Sequence, residues 1–360
     1  MSKFLTNKFE KLTPYVPGEQ PKERKYVKLN TNESPFPPSP KAIKDASEQA
    51  EKLLLYPDPD CNDLLDALSK TYGVDKKKII VSNGSDEVLN FCFMAYCDKN
   101  TPAVFADITY GFYRVFAQIN DVDYKIIPLK DDFTLDLEDY DKVDGTVFIA
   151  NPNAPTGIAK TVDEIEKFVA KNPNRIIVID EAYVDFGAQS CIPLTEKYDN
   201  LIVVQTFSKS RSMAGARLGF AVANENLILD LMSIKYSTNP YNVNRMTASA
   251  GVGALNDSKY FENNCKKIIE NREYAIKELT KLGFSATQSM ANFIFVKSEK
   301  IDGKELYLAL KDEGVLVRHF DSEKIRDYNR ITIGNKEQMQ TLVSAVKKIL
   351  ENKENENSGN

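Results

Sequence analysis

A chain of 360 residues, 42% hydrophobic and 28% charged, has the length and composition of a globular protein with more than one lobe. A net charge of −5 and the absence of any basic run interleaved with aromatics argue against nucleic acid as a partner, although a small anion needs only a few local positive groups. The five cysteines are scattered with no CxxC pair and His319 is the only histidine, which argues against a metal site and against a Ser-His or Cys-His nucleophile.

The first residues, M-S-K-F-L-T-N-K-F-E, contain no apolar leader, and no stretch is long enough to span a bilayer. The expected location is the cytoplasm, with the thiols reduced and no membrane partner. Residues 1–40 carry many prolines, from Pro14 to Pro40, and read as an extended arm lying over something else. The arm is either a solvated lead-in or a segment that reaches a binding site or a second subunit.

A helical period runs from Ser39 through Ala42, Ile43, Ala46, Ala50, Leu53 and Leu54, stopping at L-Y-P-D-P, where Pro57 and Pro59 hold Tyr56 in a loop. Leu64, Leu65, Ala67 and Leu68 mark a second helix. The short strand Ile79–Val81 leads through S-N-G-S-D-E into an apolar helix, Val88–Cys97. Strand, glycine turn and helix start in that order offer free N–H groups to an anion, and plain capping by Ser85 or Asp86 explains the pattern equally well.

Strand-like runs recur at Ala103–Ala106, Thr146–Ala150, Ile176–Ile179 and Leu201–Val204, with helical patterns between several of them. This alternation predicts an α/β fold with a mostly parallel sheet covered on both faces, and functional groups at the carboxyl ends of its strands. The expected large domain is 41–240. After about Tyr241 the pattern predicts a smaller α+β domain, 241–350, with strands at Phe293–Val296, Val315–Val317 and Ile331–Ile333 and a final amphipathic helix at Met339–Leu350. The arm 1–40 is expected to pack with it, and the polar tail 351–360 to be disordered.

The strand ends carry D-I-T-Y-G-F-Y (107–113), N-P-N-A-P-T-G (151–157), D-E-A-Y (180–183) and, in Q-T-F-S-K-S-R-S-M-A-G-A-R-L-G-F (205–220), Lys209 with Arg217 eight residues further on. A pyridine ring bearing an aldehyde, a phenolic oxygen and a phosphate would use each of them. Lysine captures the aldehyde, a carboxylate keeps the ring nitrogen protonated, and an aromatic face stacks on the ring. Hydroxyls and an arginine suit the phosphate.

Together with L-N-T-N-E-S-P-F-P-P-S-P (29–40), L-Y-P-D-P (55–59), N-G-S-D-E (83–87), A-N-F (291–293), V-L-V-R-H-F (315–320) and R-I-T-I-G (330–334), these motifs make the sequence resemble the fold-type I pyridoxal-phosphate aminotransferases. Within them it is most similar to the histidinol-phosphate aminotransferase family. That resemblance implies a seven-stranded-type sheet, the cofactor pyridoxal 5'-phosphate, a homodimer, and the substrates histidinol phosphate and glutamate or 2-oxoglutarate in histidine biosynthesis. It implies a Schiff base on Lys209, Asp180 at the ring nitrogen, Tyr183 at the phenolic oxygen and Tyr110 stacked on the ring. Ser85, Asp86, Thr206, Ser208 and Arg217 would hold the phosphate, joined by Tyr56 of a neighbouring subunit. Arg330 would bind the carboxylate of glutamate, with Arg318, Tyr15, Asn32 and Asn292 shaping the substrate pocket. The family usually reads N-P-T-G where this chain has Ala154, and Asn153 is the expected substitute at the phenolic oxygen, unless Tyr183 acts alone. His319 is read as packing rather than as a base. An aromatic-amino-acid aminotransferase and a threonine-phosphate decarboxylase are the alternatives on the same scaffold.

Overall fold

The structure is a computed structural model that describes residues 2–10 and 12–358. Seven strands form the main sheet: β1 (Ile79–Ser82), β2 (Ala103–Ala106), β3 (Tyr124–Ile127), β4 (Thr146–Ala150), β5 (Ile177–Asp180), β6 (Leu201–Thr206) and β7 (Gly219–Ala223), in the order β1-β7-β6-β5-β4-β2-β3. The pairs from β3 through β6 are parallel, while β7 runs antiparallel to both β6 and β1. The two reversals return β1 to the direction of β6, so all six of these strands point their carboxyl ends to the same edge.

The inner strands are largely apolar because each is covered on both faces, whereas the edge strand β3 exposes Tyr124, Lys125 and Ile126. Ile149, Ile177, Ile179 and Val203 belong to one core, while Phe148, Val178, Ile202 and Val204 alternate into the other. Helix Val162–Lys171 covers the first face and opens on a capping box in which Thr161 and Glu164 satisfy each other's backbone N–H groups. Helix Ser85–Tyr96 covers the second.

The second lobe has an antiparallel sheet of β8 (Phe284–Ala286), β9 (Phe293–Ser298), β10 (Arg318–His319) and β11 (Asn329–Thr332), ordered β10-β11-β9-β8. Helices Ser258–Lys281, Gly303–Asp312 and Lys336–Ser358 pack on it. The N-terminal arm joins this lobe: Val27–Lys28 pairs in parallel with Val315–Leu316, and Leu29 is fully buried in the same core. That pairing delivers residues 30–33 to the carboxyl edge of the large sheet.

Three features differ from the sequence expectations. The helix expected to reach Leu54 ends at Ser47, a short 3-10 turn follows, and Leu53, Leu54 and Leu55 stand 57%, 81% and 61% exposed. Helix Arg245–Leu255 packs in the large lobe, where Val243, Ala250 and Ala254 join the first core, so the lobes part near Asp257 rather than Tyr241. The tail was expected to be disordered, yet residues 351–358 continue the last helix, and Lys353 makes an ion pair with Glu305 on a neighbouring helix.

Candidate active site

Two adjoining cavities, of about 320 and 450 Å³, lie at the carboxyl edge of the large sheet. Lys209, Tyr183, Tyr110, Thr31 and Ala154 border both. Three residues past the end of β6, the Lys209 ammonium lies 3.5 Å from the Thr31 carbonyl. Burial lowers its pKa to about 8, with the Arg330 guanidinium as the next cause and the carboxylates of Asp86 and Glu33 opposing.

Asp180 ends β5 and is 5% exposed. Its Oδ2 accepts from the Tyr113 hydroxyl at 3.0 Å and its Oδ1 from the Ala182 N–H at 3.2 Å. Burial raises its pKa to about 6, while the Tyr113 and Ala182 bonds pull it back. Asn32 donates to the Tyr183 hydroxyl oxygen at 3.0 Å, which leaves the phenol hydrogen free to donate into the cavity. Burial holds the Tyr183 pKa above its ordinary value.

Part of the first cavity's wall is a cradle for an anion. Gly84 takes φ +77, a conformation that favours glycine, and a Cβ there would meet Arg217 Nη2 at 2.5 Å. A Cβ on Gly219 would meet the Ser85 backbone nitrogen at 2.3 Å, so these glycines let β7 and Arg217 close on the start of the helix. Arg217 donates to Asp86 at 3.0 Å and to Ser208 Oγ at 3.3 Å, and Thr206 donates to Ser208 Oγ at 3.0 Å. The Tyr110 hydroxyl donates to the other Asp86 oxygen at 2.7 Å.

The second cavity takes Tyr15, Arg318 and Arg330 into its wall. Arg330 donates through Nη2 to the Asn30 carbonyl at 3.0 Å, but its buried Nε has no partner among the described residues. Arg318 donates to the carbonyls of Val16 and Pro17, both at 3.3 Å, and so ties the arm across the cavity mouth. Tyr15 stacks on Phe112 with ring centroids 4.3 Å apart.

Residues 24–346 match the model of the family "Aminotransferase class I and II". The chain belongs to that family. A histidinol-phosphate aminotransferase of Brachyspira hyodysenteriae is 49% identical over 98% of this chain and 100% of its own length. One of Clostridium beijerinckii is 45% identical over 99% and 100%. Similarity at that level places the chain within the histidinol-phosphate aminotransferase family as well. The crystal structure of histidinol-phosphate aminotransferase from Sinorhizobium meliloti in complex with pyridoxal-5'-phosphate shares the fold at 23% identity, with a TM-score of 0.88 over 98% of this chain and 99% of that one.

Family members work with pyridoxal 5'-phosphate, and the residues present fit it. The cradle offers Arg217, hydroxyls and helix N–H groups to a phosphate. A buried carboxylate, a phenol and a lysine of lowered pKa surround the space beside it. Among the residues the sequence pointed to, Ser85, Asp86, Tyr110, Asp180, Tyr183, Thr206, Ser208, Lys209 and Arg217 line the first cavity.

Three asparagines sit differently from expectation. Asn153 does not line either cavity: its amide donates to the Ile108 carbonyl and Thr156 Oγ1 at 2.9 and 3.1 Å and accepts from Thr109. Ala154 faces the cavities in its place. Asn292 lies behind the wall, donating to the Asn32 backbone carbonyl at 2.9 Å. Asn32 itself lines the second cavity, but its side chain is committed to Tyr183 and Thr332, so it braces Tyr183. Tyr56 is 76% exposed, stacked on Tyr241, and outside both cavities of its own chain. His319 stacks on Tyr307 away from the site. The Tyr113–Asp180 bond and the Asp86 carboxylate on Arg217 were not legible in the sequence, since each joins residues far apart in the chain.

The lowered pKa of Lys209 sets a pH dependence. Only the neutral amine attacks an aldehyde, and it prevails above about 8. Capture of pyridoxal 5'-phosphate by the ligand-free protein is expected to accelerate roughly tenfold per pH unit below that value and then level off. Stopped-flow absorbance reads it directly, and a rate flat across this range would exclude Lys209 as the titrating acceptor.

Proposed function

We propose that this protein moves an amino group between histidinol phosphate and 2-oxoglutarate, giving imidazole-acetol phosphate and glutamate. The observation that carries the reading is Lys209 standing between two cavities, with Asp180 in the wall of one and Arg330 in the wall of the other. When bound, the cofactor's pyridine ring supplies an electron sink for charge developing at the substrate's α carbon. Asp180 would face the ring nitrogen, Tyr183 would donate to the phenolic oxygen, and Tyr110 would cover one face of the ring. Ser85 and Asp86 (through their N–H groups), Thr206, Ser208 and Arg217 would hold the phosphate.

Lys209 would hold the cofactor at its aldehyde, and its amine would take and return the substrate's α proton. Burial already lowers its pKa to about 8 in the ligand-free protein, toward the range where an amine both takes and returns a proton. The unpartnered Nε of Arg330 receives the carboxylate of glutamate, and Arg318 and Tyr15 contact the phosphate-bearing arm of histidinol phosphate. A guanidinium fork accepts either anion. With Ala154 in the wall, Tyr183 is left to serve the phenolic oxygen, at a cost of about 0.5–1.5 kcal/mol for the absent neutral hydrogen bond.

The working unit in this reading is a homodimer in the cytoplasm. The exposed run Leu53–Tyr56 is apolar surface of the kind a partner covers, and Tyr56 reaches the partner's phosphate cradle from it. Five free, buried thiols suit a reducing compartment.

Titration of the bound cofactor's visible absorption band tests the substrate. Histidinol phosphate should convert the band at concentrations at least ~100-fold below those needed with phenylalanine, and glutamate should convert it as well. Equal conversion by phenylalanine would move the substrate to aromatic amino acids. Release of CO2 from threonine phosphate would replace transamination by decarboxylation.

A further inference from the structure

Tyr113 is the largest side chain buried against the site that the chemistry above leaves unused. It lies in the first turn of helix Phe112–Asn120 and is 0% exposed. Its hydroxyl donates to Asp180 Oδ2 at 3.0 Å. Its ring meets Tyr110 edge-on, with centroids 5.7 Å apart at 89°, and packs on Phe105 and Phe148 at 5.7 and 5.8 Å. One side chain therefore braces both the residue that faces the ring nitrogen and the residue that covers the ring.

A tyrosine buried among phenylalanines with an idle hydroxyl would serve the core less well than phenylalanine, because an unbonded buried hydroxyl is costly. The hydroxyl is not idle. Asp180 is faced by Tyr113 from this helix, by the Ala182 N–H from its own loop, by Asp86 from helix Ser85–Tyr96 and by Lys209 from the loop after β6. Of these, Asp86 disfavours its ionised form, and Tyr113 is the strongest influence that favours it. Without that donor, the proton shared between a buried carboxylate and a pyridine nitrogen moves toward the carboxylate.

We propose that Tyr113 is a positioning residue that holds Asp180 ionised and aimed at the cofactor, and so keeps the proton on the ring nitrogen. The inference rests on the cofactor reading above and extends it to a residue that touches no substrate.

The test is Tyr113→Phe, which keeps the ring and removes the hydroxyl. With pyridoxal 5'-phosphate labelled with 15N at the ring, the bound resonance should shift toward neutral pyridine. kcat should fall about tenfold or more, with KM for the amino donor within a factor of two or so. Affinity for pyridoxal 5'-phosphate should drop, while affinity for an analogue with C–H in place of the ring nitrogen stays at the wild-type value. A packing defect would weaken both ligands alike.

3-Fluorotyrosine at position 113 keeps the hydroxyl and makes it a stronger donor. It should move the resonance the opposite way, so the idea remains testable even where the Phe variant fails to fold. An unshifted resonance in both variants, or equal loss of both ligands, would overturn the role of Tyr113 alone. A wild-type protein that binds no pyridoxal 5'-phosphate would overturn the cofactor reading and this inference together.

Discussion

Lys209→Ala should lower transamination by about 10⁴-fold, because no other side chain stands ready to take the α proton. The nearest candidates are already engaged. The Tyr183 hydroxyl is fixed by Asn32, and the Tyr110 hydroxyl is spent on Asp86. Pyridoxal 5'-phosphate should still bind, since Arg217, Ser208, Thr206 and the N–H groups of the helix start are unchanged in the variant. Its absorption band should then be that of the free aldehyde, and single-turnover mixing with histidinol phosphate should leave it almost unchanged. Retention of the wild-type rate would remove the basis of the whole assignment.

The same variant tests the dimer. Co-expression of Lys209→Ala with Tyr56→Ala yields hybrids in which one site unites Lys209 of one subunit with Tyr56 of the other. Random pairing makes half the dimers hybrid with one intact site in two, so about a quarter of wild-type activity should return. Activity equal to the mean of the two parent variants would place Tyr56 outside the partner's site.

What was legible in the sequence follows from what leaves a periodic or compositional trace. β2 and β4, buried on both faces, are continuous apolar runs, and their bounds fall where the runs do. β3 is nearly invisible, because at the sheet edge Tyr124, Lys125 and Ile126 face solvent and no run forms. β7 hides inside a glycine-bearing motif whose glycine is there for close approach to Ser85.

The helical period through Leu53 and Leu54 misled for a different reason. Those leucines do not pack on the chain's own core but stand exposed to solvent, where the proposed partner subunit would cover them. In the site, residues whose type and position in a motif both matter were found. Asn153 was expected at the phenolic oxygen because chain proximity stood in for orientation, and its amide proves to be spent on its own loop. Tyr113 could not be found at all, since its role depends on a carboxylate 67 positions away.

Asp180→Asn should cost catalysis heavily and improve the stability of the ligand-free protein. The amide has nearly the shape of the carboxylate and its oxygen can still accept from Tyr113, but it cannot balance a pyridinium. The ring nitrogen then loses its proton, the electron sink weakens, and kcat should fall by about 10³-fold. The stability effect has the opposite sign. Burial raises the Asp180 pKa to about 6 in the folded protein, whereas the unfolded chain has the ordinary value near 4. Folding therefore favours the protonated acid: below about 4 both states are neutral and nothing is lost, and as pH rises through about 6 the folded state becomes progressively penalised. Two units correspond to about 3 kcal/mol at pH 8. Asparagine carries no charge and escapes that penalty. Thermal unfolding of the cofactor-free proteins should show Asp180→Asn the more stable at pH 8, with the gain vanishing toward pH 4. A variant less stable at pH 8, or a difference independent of pH, would mean that Asp180 is not held as a costly charge. In the loaded protein the order should reverse, because the pyridinium that Asp180 awaits is the partner that offsets its burial.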